Sequence, residues 1–452
     1  MKKLIAWVLA LALVLAAAAA YAAKIEVKNV LDGESYTAYK ILNYTTDGTA
    51  YSYFLTADEY DNIGAALEAA GFTFTQSADG SEYVVNDAES IDPGAAAEYL
   101  GAHLNDLGEA LGKKTATGAD GEAAFDGLST GFYFVTSSAG SLCALHSDVD
   151  IAEAVEKNTI PTEDKTQSAD GDTYSDNDLD FNIGDTVHYK VEITDGKGTN
   201  ATLTLTDTMT DGLTYQDDAK VYVDGNEVTA GENTFSVDHD TPASGFTIVF
   251  VPAYVASLDE GHKIVVKYSA KINENAAIDS NTNTNTAELK YSEQTQTDSV
   301  NLETYDFTVY KTDGTEFLDG AEFKLYDAAT GGNQILLKKD NTGYVLDTSD
   351  SASADVTIDI NSDAGCNVRG LAPGTYYLEE VVVPDGYNKL SARTEVTITS
   401  GQTEPVQITV ENNAGAELPS TGGMGTTIFY VIGGLLIIGA AIVLIARRKA
   451  QD

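Results

Sequence analysis

Gly370-Leu371-Ala372-Pro373-Gly374-Thr375-Tyr376-Tyr377-Leu378 has a near-copy far upstream, Gly127-Leu128-Ser129-Thr130-Gly131-Phe132-Tyr133-Phe134-Val135. In both, a Gly-Leu-x-x-Gly turn leads into a run of aromatic and apolar residues, which predicts a tight turn entering a strand. A second pair agrees in order, Leu31-Asp32-Gly33 upstream and Leu318-Asp319-Gly320 downstream. The repeat predicts that the first and last folded parts are variants of one β-sandwich. It also disposes of a tempting motif. Gly127 to Gly131 fits the GxSxG nucleophile pattern, but that chemistry needs a strand, a turn and a helix. Here a strand follows, and the downstream copy has Ala372 where the serine stands.

Outward from the repeat, short alternating runs recur at Leu203 to Thr208, Thr247 to Val251, Ile264 to Tyr268 and Thr394 to Ile398. Asp224-Gly225-Asn226 between Val221 to Val223 and Glu227-Val228 is a hairpin signal. Helical spacing is confined to the first third, at Thr56 to Ala70 and at Pro93 to Leu111. The expected fold is mainly β: three tandem immunoglobulin-like sandwiches over 24–158, 159–303 and 304–416, with some helix in the first. Asn158 to Pro161 and Asn301 to Tyr305 are the expected joints.

Residues two apart on a strand share a face. On that rule Phe307, Val309 and Lys311 are in phase. So are Tyr376, Leu378, Glu380 and Val382, and so are Ile408, Val410 and Asn412. In the middle segment Leu203, Leu205 and Asp207 share a face, as do Asn285, Ala287, Leu289 and Tyr291. The facing of Lys165 is not fixed by its own irregular strand. A lone buried Lys or carboxylate is costly. One reading is a buried ion pair hydrogen-bonded to an Asn. The other is chemical. Burial lowers a Lys pKa and raises an Asp or Glu pKa. A neutral amine held against an Asn amide beside a protonated acid can attack and expel ammonia. The product is an amide cross-link between the first and last strands of a sandwich.

The two ends carry export signals. Lys2 and Lys3, the apolar run Leu4 to Leu15 and the small-x-small Ala20-Tyr21-Ala22 predict a signal peptide over 1–22. At the other end Leu418-Pro419-Ser420-Thr421-Gly422 precedes an uncharged, mostly apolar stretch over 427–446, then Arg447, Arg448 and Lys449. Such a stretch spans a hydrocarbon core of about 30 Å, and the basic tail holds its end in the cytoplasm. The order resembles the sorting signal of sortase substrates over 417–452. That resemblance implies cleavage between Thr421 and Gly422 and transfer of the Thr421 carbonyl to an amine. The formal net charge of −44 disfavours nucleic acid and anionic lipid as partners. Cys143 and Cys366 fall in different predicted sandwiches, so an exported chain of this size has no disulfide framework and needs another source of toughness.

Val309-Tyr310-Lys311-Thr312-Asp313 and Leu318 to Leu325 resemble the opening of a Cna B-type domain. Tyr376-Tyr377-Leu378-Glu379-Glu380 through Pro384-Asp385-Gly386-Tyr387 is similar to that family's YxLxExxAPxGY box, with Val383 in place of the usual Ala. The resemblance implies a Lys311–Asn412 isopeptide bond with Glu380 as the catalytic acid. Pro161 to Lys165, Leu205 to Leu213 and Asn285 to Leu289 resemble the middle domain of backbone pilins. That implies a Lys165–Asn285 bond with Asp207 as acid, Asn283 being the rival partner. The first segment has Ser137 at the place of Glu380 and no convincing Lys/acid/Asn set. Backbone pilins accept the incoming acyl group on the Lys of a YPKN-like motif. Here Lys157, in Val155-Glu156-Lys157-Asn158, occupies that place, with Lys113 and Lys114 as alternatives.

The function expected from these readings is a major pilin, wall-anchored and polymerised by sortase. The alternative is a minor pilin or a monomeric wall-anchored adhesin. Expected partners are a class C pilin sortase, a housekeeping sortase, other copies of the chain, accessory pilins, peptidoglycan and host surface molecules. An enzyme is not expected: there is no HExxH or P-loop, and the five His are scattered. No cofactor or metal is expected; the acidic run Asp170, Asp172, Asp176, Asp178 and Asp180 lacks EF-hand spacing.

Overall fold

The computed structural model describes residues 23–47, 49–86, 92–103, 112–138, 140–146, 151–156, 159–194, 202–239, 244–258, 261–279, 282–349, 351–415 and 425–449. The leader 1–22, Lys157 and Leu418 to Gly422 lie outside them. The chain divides into two compact units, Met1–Thr304 and Tyr305–Asp452.

The first unit begins with a three-stranded sheet. Its central strand Ala23–Lys28 pairs in parallel with Ile151–Val155 and antiparallel with Glu122–Leu128. Ile25 and Val27 alternate inward and pack on Tyr36, Phe125, Tyr133 and Val135. A seven-stranded sheet lies on the other side of this core, centred on Ser35–Thr46 and Gly131–Ser137. Ser129 sits in the turn between Glu122–Leu128 and Gly131–Ser137, so the GxSxG stretch joins two strands. The second face of the larger sheet buries Tyr53, Leu55 and Phe132 against helix Ala57–Ala69. Thr56 caps that helix by accepting from the Glu59 backbone amide, while the Glu59 carboxylate accepts from Thr56. It stops at Ala70, where Gly71 takes φ +100, open only to a residue without Cβ. A further helix covers Pro93–Ala102; the rest of the predicted span, residues 104–111, lies outside the described ones. A helical turn at Pro252–Val255 adds one short element beyond the first third.

The middle segment is a pair of six-stranded sheets. One contains Thr162–Ser168, Thr186–Thr194 and Lys263–Ile272 as successive neighbours. The other contains Gln294–Glu303, Asn283–Tyr291, Leu203–Met209 and Gly245–Phe250. The hairpin Lys220–Val223 to Asn226–Val228 turns through Asp224 (φ 46) and Gly225 (φ 83), the pair of positive angles that a two-residue I′ turn needs.

The second unit contains two five-stranded sheets around one core of Tyr305, Phe307, Phe323, Leu325, Leu378 and Val396 with their neighbours. Its first strand Tyr305–Thr312 pairs in parallel with Val406–Glu411 and antiparallel with Cys366–Leu371. Ala321–Tyr326, Gly374–Val382 and Thr394–Ile398 are successive neighbours in the other sheet. The same connectivity orders Ser35–Thr46, Gly131–Ser137 and Gly140–His146 in the first unit, as the sequence repeat requires. Val382, expected on the core face, is 42% exposed. The register between Ala321–Tyr326 and Gly374–Val382 slips after Phe323↔Glu380, and the bulge carries Val382 off the face that Leu378 and Glu380 share.

Candidate cross-linking sites

Among the described residues, Lys165 and Lys311 are the lysines with 0% exposure, and the buried acids Asp207 and Glu380 and the buried amides Asn285 and Asn412 belong to the same two sandwiches. In the middle sandwich, Lys165 comes from Thr162–Ser168 of one sheet, whereas Asp207 and Asn285 come from paired strands of the other. The register Asp207↔Ala287 and Met209↔Asn285 puts the two side chains on the same face, one step apart along the strands. Lys165 Nζ stands 2.6 Å from Asp207 Oδ2. It also donates to Tyr268 Oη, and Tyr268 donates to the same Asp207 oxygen. Asn285 Nδ2 donates to Tyr268 Oη at 3.2 Å. The Lys165 amine lies 5.2 and 5.1 Å from the ring centroids of Tyr189 and Tyr268.

Burial pushes the Lys165 amine down despite the opposing pull of Asp207, and burial pushes the Asp207 carboxyl up. Both shifts favour the uncharged pair. Asp207 Oδ1 and Asn285 Oδ1 have no hydrogen-bond donor, and a proton on the carboxyl would turn one of these buried acceptors into a donor. The rival Asn283 is used elsewhere. Its Oδ1 accepts from Ala277 N at 2.8 Å and its Nδ2 donates to Ala277 O at 3.0 Å, pinning a loop. The structure therefore places Asn285, not Asn283, with Lys165. It also corrects the strand order: Asn285 lies on the penultimate strand, Gln294–Glu303 being the last. A bond here would join first to penultimate strand, from sheet to sheet.

In the second unit, Lys311 lies opposite Val410 on the parallel pair, and Asn412 follows the end of the strand Val406–Glu411. The Asn412 backbone amide donates to Thr312 O at 3.0 Å. Lys311 Nζ donates to Val410 O at 3.1 Å. Asn412 Nδ2 donates to Glu380 Oε1 at 2.8 Å, and Glu380 Oε2 accepts from Leu390 N at 2.9 Å. Glu380 reaches over from the facing sheet, and all three side chains are buried. Burial lowers the Lys311 amine, against the pull of Glu380, Glu411 and Asp313. Asn412 Oδ1 has no donor. Each set thus holds, in one buried core, an amine depressed by burial and an amide whose carbonyl is unpaired.

Sequence reasoning missed Tyr268 and Tyr189. Both alternate in phase with core residues of their strands and carry no signal that separates a site tyrosine from a packing one. In the N-terminal sandwich Ser137 is buried at the place of Glu380, and no buried lysine lies beside it among the described residues.

The helix Gly425–Lys449 contains a span, Phe429–Arg448, long and apolar enough to cross a membrane. Residues 305–414 match the SpaA prealbumin-like fold domain, and residues 410–452 match the LPXTG cell wall anchor motif. No curated protein matches the chain by sequence. Among solved structures, the three-domain T6 backbone pilin of Streptococcus pyogenes aligns with TM-score 0.50 at 16% identity, over 83% of this chain and 79% of that one. Full-length RrgB pilus protein of Streptococcus pneumoniae aligns with TM-score 0.50 at 16% identity, over 89% and 100%. The chain is therefore a secreted, wall-anchored protein whose fold is that of Gram-positive backbone pilins and whose second unit holds a prealbumin-like SpaA domain.

Proposed function

We propose that this chain is the repeating backbone subunit of a sortase-assembled pilus, built of three domains over 24–158, 159–303 and 304–416. Two of them would close by their own amide bonds, Lys165–Asn285 with Asp207 as acid and Lys311–Asn412 with Glu380 as acid. The observation that carries the reading is the pair of buried Lys/acid/Asn sets. Nothing in packing alone calls for two amines at 0% exposure, each depressed by burial. Covalent closure removes the desolvated charges and ties strands that tension would otherwise peel apart.

Polymerisation proceeds by cleavage after Thr421 and transfer of its acyl group to Lys157 of the next copy. The last transfer goes to peptidoglycan. A pilin sortase and a housekeeping sortase are the enzymes required, and accessory pilins and host surface molecules are further partners. The chain itself catalyses nothing beyond its own cross-links.

Cell-wall extract run on a denaturing gel and probed for this chain should give a high-mass ladder in cells carrying the pilin sortase. Lys157→Ala should leave folded monomer and no ladder. A ladder that survives moves the acceptor to the exposed Lys113 or Lys114. Monomer alone in the parent cells points to a wall-anchored adhesin instead.

A further inference from the structure

Tyr268 occupies a position that a merely structural tyrosine would not need. It is buried, 3% exposed, on Lys263–Ile272. Its hydroxyl touches all three members of the middle set. Lys165 Nζ and Asn285 Nδ2 both donate to it, and it faces Asp207 Oδ2. Those two nitrogens are the attacking and departing atoms of the proposed cross-link. The C-terminal set has nothing equivalent, for there Glu380 holds Asn412 Nδ2 directly.

We propose that Tyr268 is a catalytic residue of the middle domain, its hydroxyl relaying a proton from the attacking Lys165 nitrogen to the departing Asn285 nitrogen. The inference rests on the cross-linking reading of this site. In the step, the bond from Nζ to the Asn285 side-chain carbon forms. Nζ gives a proton to Tyr268 Oη while the hydroxyl passes its own to Nδ2. The carbon–Nδ2 bond breaks and ammonia leaves. Asp207 begins and ends protonated, and the reaction is neutral throughout. A hydroxyl suits this role because it accepts and donates at one atom and costs no net charge in a dry site. Burial pushes the Tyr268 phenol well up, which keeps it a hydroxyl rather than a phenolate.

The test is cell-free synthesis of the mature chain followed by intact mass against time, with peptide mapping of the Lys165–Asn285 link. Loss of the C-terminal ammonia serves as an internal clock for folding. Wild type should lose two ammonias. Tyr268→Phe should lose the C-terminal one on time and the middle one about a hundredfold more slowly. The deficit should shrink as pH rises and solvent takes over the proton. A second variant keeps the shape and the hydrogen bonds: 3-fluorotyrosine at residue 268, which changes only the acidity of the phenol. Its closure rate and pH profile should shift from those of wild type. Tyr268→Phe closing at the wild-type rate overturns the relay alone. So does a slowing uniform across pH together with an unchanged fluorotyrosine rate, which would leave the ring a packing role. A wild-type chain that never forms the Lys165–Asn285 link overturns the relay and the cross-linking reading of this site together.

Discussion

The Lys165 and Lys311 sites contain the same three kinds of side chain in different frames. At Lys311 the amine is on one of two parallel neighbours and the amide directly follows the other, so the ladder itself fixes where each begins. Glu380 needs only to reach over from the facing sheet and hold the Asn412 amide. At Lys165 the amine faces its partners from the opposite sheet, and no ladder bond connects the two strands. There the Tyr268 hydroxyl gathers amine, acid and amide around one oxygen. The acid is also shorter, Asp207 in place of a glutamate. Where the backbone supplies the alignment one carboxyl suffices; where it does not, an extra polar side chain does the aligning.

If the proposed bonds form in these frames, the largest effect belongs to the sheet-to-sheet one. Lys165→Ala should remove one ammonia loss. It should also lower the thermal transition of the middle domain by more than about 10 °C, because an unclosed loop of roughly a hundred residues regains chain entropy worth about 4–5 kcal/mol. It also leaves the buried Asp207 carboxyl without its amine. Lys311→Ala should cost less, since the parallel ladder Phe307↔Val406 to Thr312↔Glu411 still holds the two strands together. Scanning calorimetry of both variants decides the order. Equal shifts would mean that the ladder adds nothing to the bond.

Glu380→Gln separates the acid from the geometry. It keeps the size of the side chain and an oxygen facing Asn412 Nδ2 but cannot give up or hold a proton. Intact mass should then show one ammonia lost instead of two, with the middle link present and the C-terminal one absent. Complete closure in this variant would show that alignment on one sheet is enough without an acid.

The period-two pattern made most of this legible. Lys311, Glu380, Asn412, Asp207 and Asn285 could all be put on core faces from their spacing alone, and the repeated Gly-Leu-x-x-Gly segment predicted the shared connectivity of the first and last sandwiches. Where a bulge intervened, the pattern failed, and Val382 left the face that it should share with Glu380. Asn283 and Asn285 have the same phase, so spacing was blind to the choice between them. Only the loop at Ala277, which captures the Asn283 amide, separates the two. Tyr268 was hidden for a related reason: a tyrosine in a core phase is ordinary until its hydroxyl is seen to meet something. Asn283→Ala turns this into a measurement. It should leave the number of ammonias lost at two and cost about 1–2 kcal/mol through the lost backbone hydrogen bonds. Loss of the middle cross-link would return Asn283 to the site.

The last expected effect concerns a residue with no counterpart at the other site. Two positions before Lys311 on its strand stands the buried Val309; two positions before Lys165 stands Glu163. Both Glu163 carboxylate oxygens are buried. Burial, with the nearby Asp298 charge adding to it, pushes this carboxyl up from 4.5 to about 7, against the pull of Lys165. A carboxyl raised in the fold favours the folded state while it is protonated. Its contribution is therefore whole below about 4.5 and is lost as pH rises through about 7. The middle domain should thus be less stable at pH 8 than at pH 5 by about 1–3 kcal/mol from this group, a figure reduced for the solvent that it still sees. Glu163→Gln should remove that decline and leave the number of ammonias lost unaltered, while the C-terminal domain, with Val309 in the matching place, should show no such slope in either protein. Denaturant melts at the two pH values read this directly. A decline that persists in Glu163→Gln would move the titrating group to Asp207, where the proposed cross-link would consume the amine and leave the acid buried beside an amide.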